Sequence, residues 1–347
     1  MGENDIILKM ELDLSSLVGK TLLITGGTGM IGKWMIDYLL GRVACKIILL
    51  GRSEEKARKR FEASCWRDGR LTFVQWDPSH PTSLLYLNDL VAERSVDFII
   101  HLASNTHPVA YATDPVSTIV MNVSATKELL DLAVEKKARF VYASSVEIYG
   151  QNRGDCEKFK EDYCGYIDCN TLRAGYPESK RCGESLCQAY IKQYGLDVVI
   201  PRIARVYGPT LQKDDTKALS QFIHNALEGK DIVLKSEGKQ YFSYLHVADA
   251  VSGILTVMLK GRCGEAYNIA DEKSDITLRD LAAIIARQSG RKVIFDIPAA
   301  AEAAGFSPAM LARMDNAAIR ALGWSAEYDI TNGIAETMRI MKEASYV

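Results

Sequence analysis

Tyr176 and Lys180 lie four positions apart in the segment YPESK. On a helix, residues i and i+4 share a face, so the ammonium group would stand close to the phenol. A nearby positive charge favours the phenolate and is predicted to lower the pKa of this tyrosine toward the working pH. Such a tyrosine can take a proton from a substrate hydroxyl while a hydride leaves the same carbon. Ser145, in the segment ASSVEIYG, offers a second hydroxyl for the same substrate oxygen, although serine also suits an ordinary turn.

Three glycines at a spacing of three, Gly26, Gly29 and Gly32, lie between a predicted strand and a predicted helix. The strand is the apolar and β-branched run Thr21–Thr25, and the helical pattern of apolar residues begins at Ile31. Glycine lets the backbone turn tightly and lets a phosphate approach it, and the helix N-terminus offers free N–H groups. This order favours a site for a dinucleotide pyrophosphate over a glycine turn that binds nothing.

The elements that would position these residues alternate along the chain. Strands are predicted at Thr21–Thr25, Lys46–Leu50, Leu71–Trp76, Val96–Leu102, Arg139–Ser144 and Leu196–Val206, and helices at about 54–63, 115–136 and 176–194. This alternation predicts an α/β protein with a Rossmann-type, doubly wound parallel sheet, helices on both faces and right-handed crossovers. In such sheets the ligand lies beyond the carboxyl ends of the strands.

We divide the chain into three parts. Residues 1–19 form an N-terminal leader, and residues 20–207 form the dinucleotide-binding domain with the candidate catalytic residues. Residues 208–347 are predicted to form mainly a smaller, mixed α/β substrate-binding lobe, with some segments returning to the first domain.

The composition indicates a cytoplasmic protein. Among 347 residues, 42 Lys and Arg oppose 44 Asp and Glu, and a net charge of −2 gives no general attraction to nucleic acid or to an anionic membrane. No apolar run reaches membrane-spanning length, and the first residues resemble neither a signal nor a transit peptide. The eight cysteines form no C-x-x-C pair and the histidines add no metal-type spacing, so free thiols and no metal are expected. Crowding of Cys156, Cys164 and Cys169 leaves a redox role open.

Several ordered motifs resemble those of the extended short-chain dehydrogenase/reductase family, which contains NAD-dependent nucleotide-sugar epimerases, dehydratases and decarboxylases. The resemblance runs from Lys20 to about Trp324 and rests on GGTGMIG, Asp77, HLAS at 101–104, Asn122 in NVSAT, SSVEIYG, YPESK, RIARVYGP at 202–209 and HVAD at 246–249. Within this family the chain most resembles UDP-glucuronate decarboxylases, through TLRAGYPESKR and through LSQFIHNALEGK at 219–230.

The resemblance implies roles for individual positions. Ser145 and Tyr176 would handle the proton of the sugar C4 hydroxyl, and Lys180 would also bind the nicotinamide ribose. The candidate cofactor contacts are Gly26, Gly29, Met30, Ile31, Arg52, Asp77, Leu102, Ala103 and Lys180, with Asp77 beside the adenine. The candidate substrate contacts are Asn122, Arg173, Arg205 and Arg313, with Arg313 in the position of a diphosphate-binding arginine. Arg173 could equally be a solvated surface charge, and the same alternative is weaker for Arg313.

The pair Val146-Glu147 departs from the family pattern. Family dehydratases usually carry Asp-Glu here and the decarboxylases carry Ser-Glu. A valine can neither protonate a leaving hydroxide nor hydrogen-bond a carboxylate, which argues against a 4,6-dehydratase and less strongly against a decarboxylase. Glu147, a candidate catalytic residue, would either act as a base at the sugar C5 or merely order the loop.

Three more residues depart from the family pattern. Members often have asparagine where Arg205 stands and arginine where Phe242 stands. Either the cation has moved from one side of the diphosphate site to the other, or the substrate differs. Enzymes that use NAD usually place an acid at the end of the second strand, where this chain has Arg52. Arg52 could bind a 2′-phosphate, which favours NADP, or stack on the adenine. The family majority favours NAD, so the choice between NAD and NADP stays open.

The resemblance implies an enzyme that transiently oxidises C4 of a nucleotide sugar and recycles a tightly bound cofactor. Epimerisation is favoured because it needs only Ser145, Tyr176, Lys180 and the cofactor; decarboxylation of UDP-glucuronate and 4,6-dehydration are the alternatives. A carbonyl reductase and a non-catalytic dinucleotide-binding sensor or scaffold are competing hypotheses. The resemblance also implies a homodimer through helices 117–136 and 177–193, although Leu129 and Leu186 could equally be internal core.

Overall fold

The computed structural model describes residues 12–78, 87, 92, 94–104, 114–213, 215–297 and 310–344. The strands are β1 Thr21–Thr25, β2 Lys46–Gly51, β3 Leu71–Gln75, β4 Phe98–His101, β5 Arg139–Tyr142, β6 Ser144–Ser145, β7 Val198–Ile203, β8 Arg205–Tyr207, β9 Ile232–Leu234, β10 Tyr241–His246, β11 Ala266–Ile269, β12 Asp275–Thr277, β13 Val293–Phe295 and β14 Leu311–Ala312. The helices are α1 Met30–Arg42, α2 Glu54–Arg60, α3 Ala63–Arg67, α4 Pro115–Lys136, α5 Gly175–Tyr194, α6 Ala218–Leu227, α7 Val247–Lys260, α8 Leu278–Ser289, α9 Ala317–Ala321 and α10 Ile330–Ala344.

A large parallel sheet dominates the N-terminal part of the molecule. Its strands follow the order β3-β2-β1-β4-β5-β7-β11, and the short β6 pairs with β7. Every strand pair in this sheet is parallel, so each strand ends at the same edge. The order reverses on either side of β1, which is the switch point where such sheets bind ligands. The predicted doubly wound sheet is therefore confirmed.

Alternate side chains of β1 enter two different hydrophobic layers. Leu22 and Ile24 join a core with Trp34 of α1 and with residues of α7. Leu23 points the other way, into a core with Leu129 of α4 and with residues of α5. Because successive strand residues face opposite sides, an all-apolar strand needs a helical layer on each face.

Two predicted elements are wrong in detail. The helix predicted at 54–63 ends at Arg60, because the extended and buried Phe61 leaves the helix and packs in the core. The strand predicted at 196–206 is divided at Ala204, because β7 pairs within the large sheet whereas β8 pairs with β10 of a second sheet.

A smaller mixed lobe is built around β10. Strand β10 pairs antiparallel with β12 and parallel with β14 and β8, and β9 pairs with β13 in a separate two-stranded sheet. Strand β11 pairs with β7 and so belongs to the large sheet. The division at residues 207 and 208 stays a prediction.

The segment before β1 is packed onto the fold. Leu14 and Leu17 are buried in the same core layer as Trp34. Among the described residues, no helix combines the length and the apolar character that a membrane crossing requires.

Candidate active site

The glycine turn after β1 is shaped by two close backbone approaches. Gly26 has a φ of 71°, and a Cβ at this position would lie 2.7 Å from the backbone nitrogen of Ala103. A Cβ on Gly32 would collide with the backbone of Gly26 and Gly27. Glycine is therefore required both for the left-handed turn and for the packing of α1 against it. Gly29 is the residue before α1, and its N–H donates to the Gly26 carbonyl over 3.0 Å.

A buried threonine at the end of β1 connects the glycine turn to the residues at the end of β4. The hydroxyl of Thr25 accepts a hydrogen bond from the Ala103 N–H at 3.1 Å and lies 2.8 Å from Nδ1 of His101. Burial lowers the pKa of His101 to about 3, so its ring is neutral. Leu102 and Ala103 thus leave the sheet directly beside the glycine turn.

A segment after β8 braces the same turn from the other side. The Thr210 hydroxyl donates to the Met30 carbonyl at 2.9 Å, and the Gln212 amide donates to the Thr28 carbonyl at 3.0 Å. Arg60 in turn donates to the Thr210 carbonyl at 2.6 Å. The chain that leads into α6 is therefore tied to the start of α1.

The remaining candidate cofactor contacts lie at the carboxyl ends of neighbouring strands. Met30 and Ile31 open α1, Arg52 follows β2 with an exposed side chain, and Asp77 follows β3 with a half-buried one. The structure thus gathers these positions at the edge where the glycine turn lies, and their roles stay predictions.

The phenol of Tyr176 is buried at the start of α5 and forms hydrogen bonds with the side chains of Ser145 and Ser104. Burial has the largest effect on its pKa and raises it to about 12, although the hydrogen bonds with Ser145 and Ser104 act in the opposite direction. The expected lowering of this pKa by Lys180 is therefore wrong for the residues as they stand. Ser145 also accepts the Glu147 N–H at 3.2 Å, which caps the short 3-10 helix Val146–Tyr149.

Lys180 is buried one turn after Tyr176. Its Nζ donates to the Ala143 carbonyl at 2.9 Å and lies 5.0 Å from the ring centre of Tyr142. Burial lowers the pKa of Lys180 to about 8, and the charge of Glu184 opposes part of this shift. The lysine is thus fixed against the strand end that leads to Ser145.

Asn122 of α4 links the two helices of one face. It accepts from the Ser104 hydroxyl at 2.7 Å and donates to the Ser179 hydroxyl at 2.8 Å. Ser179 donates in turn to the Tyr176 carbonyl at 2.8 Å. This buried chain of hydrogen bonds positions the Tyr176 backbone, which is a supporting role.

Glu147 lies between two arginines. Arg173 donates to its Oε2 at 3.0 Å, and Arg205 donates to its Oε1 at 3.1 Å. The Arg205 guanidinium also stacks on the buried ring of Phe242, 3.7 Å from the ring centre. Arg205 and Phe242, which both depart from the family pattern, are therefore in direct contact. Two guanidinium groups and one carboxylate leave this cluster with a net positive charge.

Arg313 lies apart from that cluster. It follows β14, stacks 4.3 Å from the ring centre of Tyr241 and pairs with Glu157 at 3.1 Å. Tyr241 and Phe242 are adjacent on β10, so their side chains leave opposite faces of the small sheet. The structure therefore does not bring Arg313 together with Arg205, and its predicted contact with substrate stays a prediction.

Three residues of this site escaped the sequence analysis. Ser104 lies within the motif HLAS, and its place after a predicted strand was a signal that could have identified it. Thr210 and Gln212 carry no such signal, because their partners are some 180 positions earlier in the chain.

Residues 22–270 match the family model described as the NAD dependent epimerase/dehydratase family. A curated relative, UDP-glucuronic acid decarboxylase 1 of Xenopus tropicalis, is 32% identical over 247 residues, which are 71% of this chain and 55% of that protein. The chain thus spans little more than half the length of this relative.

Solved structures with two further activities share the fold. A dTDP-glucose 4,6-dehydratase from Streptomyces venezuelae with NAD bound is 28% identical, with a TM-score of 0.77 over 93% of this chain and 97% of that one. A UDP-glucuronic acid 4-epimerase from Bacillus cereus, in complex with UDP-glucuronic acid and NAD, is 21% identical, with a TM-score of 0.78 over 93% and 99%. At that identity the likeness to the epimerase concerns the fold alone.

Proposed function

Because this chain belongs to the NAD dependent epimerase/dehydratase family, we propose that it is an enzyme that transiently oxidises C4 of a nucleotide sugar. The observation that carries the proposal is the meeting of Ser145, Tyr176 and Lys180 at the carboxyl edge of the large sheet. Such a group has a use in proton transfer during hydride chemistry and has none in a module that only binds a dinucleotide.

The glycine turn fits a dinucleotide. The backbone carries no side chains at Gly26, Gly29 and Gly32, so a pyrophosphate can approach it closely. The N-terminus of α1, which follows directly, offers N–H groups to the same phosphates. We assign the cofactor as NAD or NADP, tightly bound. When bound, its nicotinamide supplies a hydride acceptor and later a hydride donor.

The chain's own residues manage the proton. Tyr176 takes the proton of the C4 hydroxyl, and Ser145 holds the same oxygen through its hydroxyl. The hydrogen bonds with Ser145 and Ser104 favour the phenolate, which must form against a pKa that burial raises to about 12. Tyr176 returns the proton to the same oxygen when the C4 alcohol re-forms, and an epimerisation would need no further residue of this chain.

Epimerisation is favoured over elimination by the surroundings of Glu147. Both of its oxygens are engaged by guanidinium groups, so its carboxylate serves to orient Arg173 and Arg205. The buried side chain of Val146 offers no proton for a departing hydroxide.

Decarboxylation is the second candidate. The relative named as a UDP-glucuronic acid decarboxylase supports it, and so does the net positive charge of the cluster around Glu147, which suits a carboxylate on the sugar.

The proposal is tested by mass spectrometry of UDP-, dTDP-, GDP- and CDP-sugars incubated with the protein in heavy water. Unchanged mass, a new retention time and no deuterium are expected for epimerisation at C4. Loss of carbon dioxide would indicate the decarboxylase. Loss of water with deuterium gained would indicate a dehydratase and make Glu147 the base at C5.

Tyr176→Phe is the matching variant, and it should lower turnover by about 10²-fold or more because the proton acceptor is gone. Tyr194→Phe, on the exposed end of the same helix, should leave turnover unchanged. Full cellular function in Tyr176→Phe would contradict catalysis and favour a sensor or scaffold.

We further propose that the protein is a cytoplasmic homodimer. Support comes from the apolar side chains that α4 leaves exposed, Val116, Ile119 and Val120. Leu129, named in the sequence analysis as either interface or core, is buried within one chain and is therefore core.

A further inference from the structure

The residue after Lys180, Arg181, connects α5 to two other segments of the chain. Its Nε donates to the Ile148 carbonyl at 2.7 Å, and its Nη2 donates to the Gly165 carbonyl at 3.0 Å. A third contact is the ion pair with Glu178 of the same helix at 3.3 Å. Because a guanidinium is planar and its donors are fixed relative to one another, these bonds hold both carbonyls at set positions relative to α5.

The Ile148 carbonyl lies near the end of the short 3-10 helix Val146–Tyr149, which begins directly after Ser145. The last carbonyl groups of a helix have no partner within it and need donors from elsewhere. Arg181 supplies one such donor. It thereby ties the segment that follows Ser145 to α5, the helix that carries Tyr176.

The Gly165 carbonyl belongs to a segment that packs closely against the end of the same 3-10 helix. A Cβ on Gly165 would collide with the carbonyl oxygens of Tyr149 and Gln151. The Gln151 N–H donates to the Tyr166 carbonyl at 2.8 Å, which joins the two segments. The bond from Arg181 to Gly165 therefore also holds the 3-10 helix, through the segment packed against it.

Tyr149, the last residue of the 3-10 helix, is fully buried and is fixed to the large sheet. Its hydroxyl donates to Oδ1 of Asn268 on β11 at 2.6 Å and accepts from Nη1 of Arg202 on β7 at 2.9 Å. The 3-10 helix is thus bonded to the sheet through Tyr149 and to α5 through Arg181. These bonds fix its place between the two elements that meet at the candidate active site.

We propose that Arg181 is a positioning residue, which holds the Ser145 hydroxyl in place against the Tyr176 phenol. This inference rests on the proposed function, because it concerns the substrate oxygen that both hydroxyls would contact. Ser145 and Tyr176 form a hydrogen bond through their side chains, although they belong to β6 and α5. A displacement of about 1 Å between reacting groups can cost about 10²-fold in rate, so a bond between these elements matters for turnover.

Three variants test the role of Arg181 in turnover of the substrate found in the nucleotide-sugar screen. Arg181→Met removes all three contacts and should lower kcat at least about tenfold, with KM changed by less than about threefold. Arg181→Lys can still donate to one carbonyl and should recover part of kcat. Glu178→Gln removes only the ion pair, leaves both carbonyl bonds, and should keep the native kcat.

Hydrogen exchange of the purified protein tests the same bonds without a substrate. The amides of residues 144–151 should exchange at least about tenfold faster in Arg181→Met, whereas those of residues 182–194 should be unchanged. If Arg181→Met does not fold, Arg181→Lys carries the test, and its exchange should rise in the first segment alone.

Several results would overturn the inference and leave the proposed function intact. They are a native kcat in Arg181→Met, a rise in KM that matches the fall in kcat, and an equal rise of exchange in both segments. A native protein that converts no sugar would instead contradict the proposed function. Faster exchange confined to residues 144–151 would then still show that Arg181 holds the segment of Ser145.

Discussion

Glu147 shows how neighbours decide the role of a single carboxylate. Its position beside Ser145 suggests a base, but its two oxygens are each bonded to a guanidinium. A base must be able to reach the substrate, whereas this carboxylate is held in place by two guanidinium groups. The Arg205 guanidinium stacks on the ring of Phe242, which fixes its plane. The N–H group that Arg205 donates to Glu147 is therefore fixed in direction as well.

We therefore expect Glu147→Gln to retain turnover within about tenfold of the native protein, because loss of a general base costs about 10²–10⁴-fold. Turnover of the substrate found in the nucleotide-sugar screen is the measurement. Glu178→Gln, which removes the partner of Arg181 on the surface of α5, is the control for losing one ion pair. A loss of 10²-fold or more, with solvent deuterium entering C5 in the native protein, would contradict the positioning role.

At the scale of elements, two glycines distinguish the cost of a left-handed backbone from the cost of a steric clash at Cβ. Gly19 and Gly26 both have positive φ values, of 75° and 71°. A Cβ on Gly19 would meet nothing within 4 Å, whereas one on Gly26 would press on the backbone of Ala103. The two positions therefore share a conformational requirement and differ in the space around them.

Gly19→Ala should lower the free energy of unfolding by about 1–2 kcal/mol, the cost of a left-handed alanine, and should leave dinucleotide affinity unchanged. Gly26→Ala pays the same conformational cost and must also displace Ala103, so it should bind dinucleotide at least about tenfold more weakly. Denaturant melts and titration of each variant with NADPH and NADH provide the measurements. Equal affinities in the two variants would show that the turn does not form the cofactor site.

The same elements mark how far the sequence could predict the fold. The order of strand, glycine turn and helix is local, and so is the four-residue spacing of Tyr176 and Lys180, so both were predicted. The contact of Arg205 with Phe242 joins β8 to β10 and needs the tertiary fold. The raised pKa of Tyr176 was missed for the same reason, because its cause is burial and burial is a property of the assembled molecule.

At the scale of the whole molecule, helices α4 and α5 connect the candidate active site with the proposed dimer interface. Helices α4 and α5 pack on each other and cover one side of the large sheet. Their inner sides carry Asn122, Tyr176 and Lys180, all of them buried. Their outer side leaves Val116 70% exposed and Val120 44% exposed, which is apolar surface that a second copy would cover.

We expect the purified protein to sediment at twice the 38.5 kDa of one chain, and Val120→Asp to sediment as a monomer because it places a charge within the apolar face. Val18→Asp changes another exposed valine, outside these helices, and should remain dimeric. A native monomer, or a dimer that persists in Val120→Asp, would contradict the assignment of this face. Because the buried Asn122 lies only two residues after Val120, the monomer should also turn over more slowly than the Val18→Asp control. Assembly and catalysis would then depend on the same pair of helices.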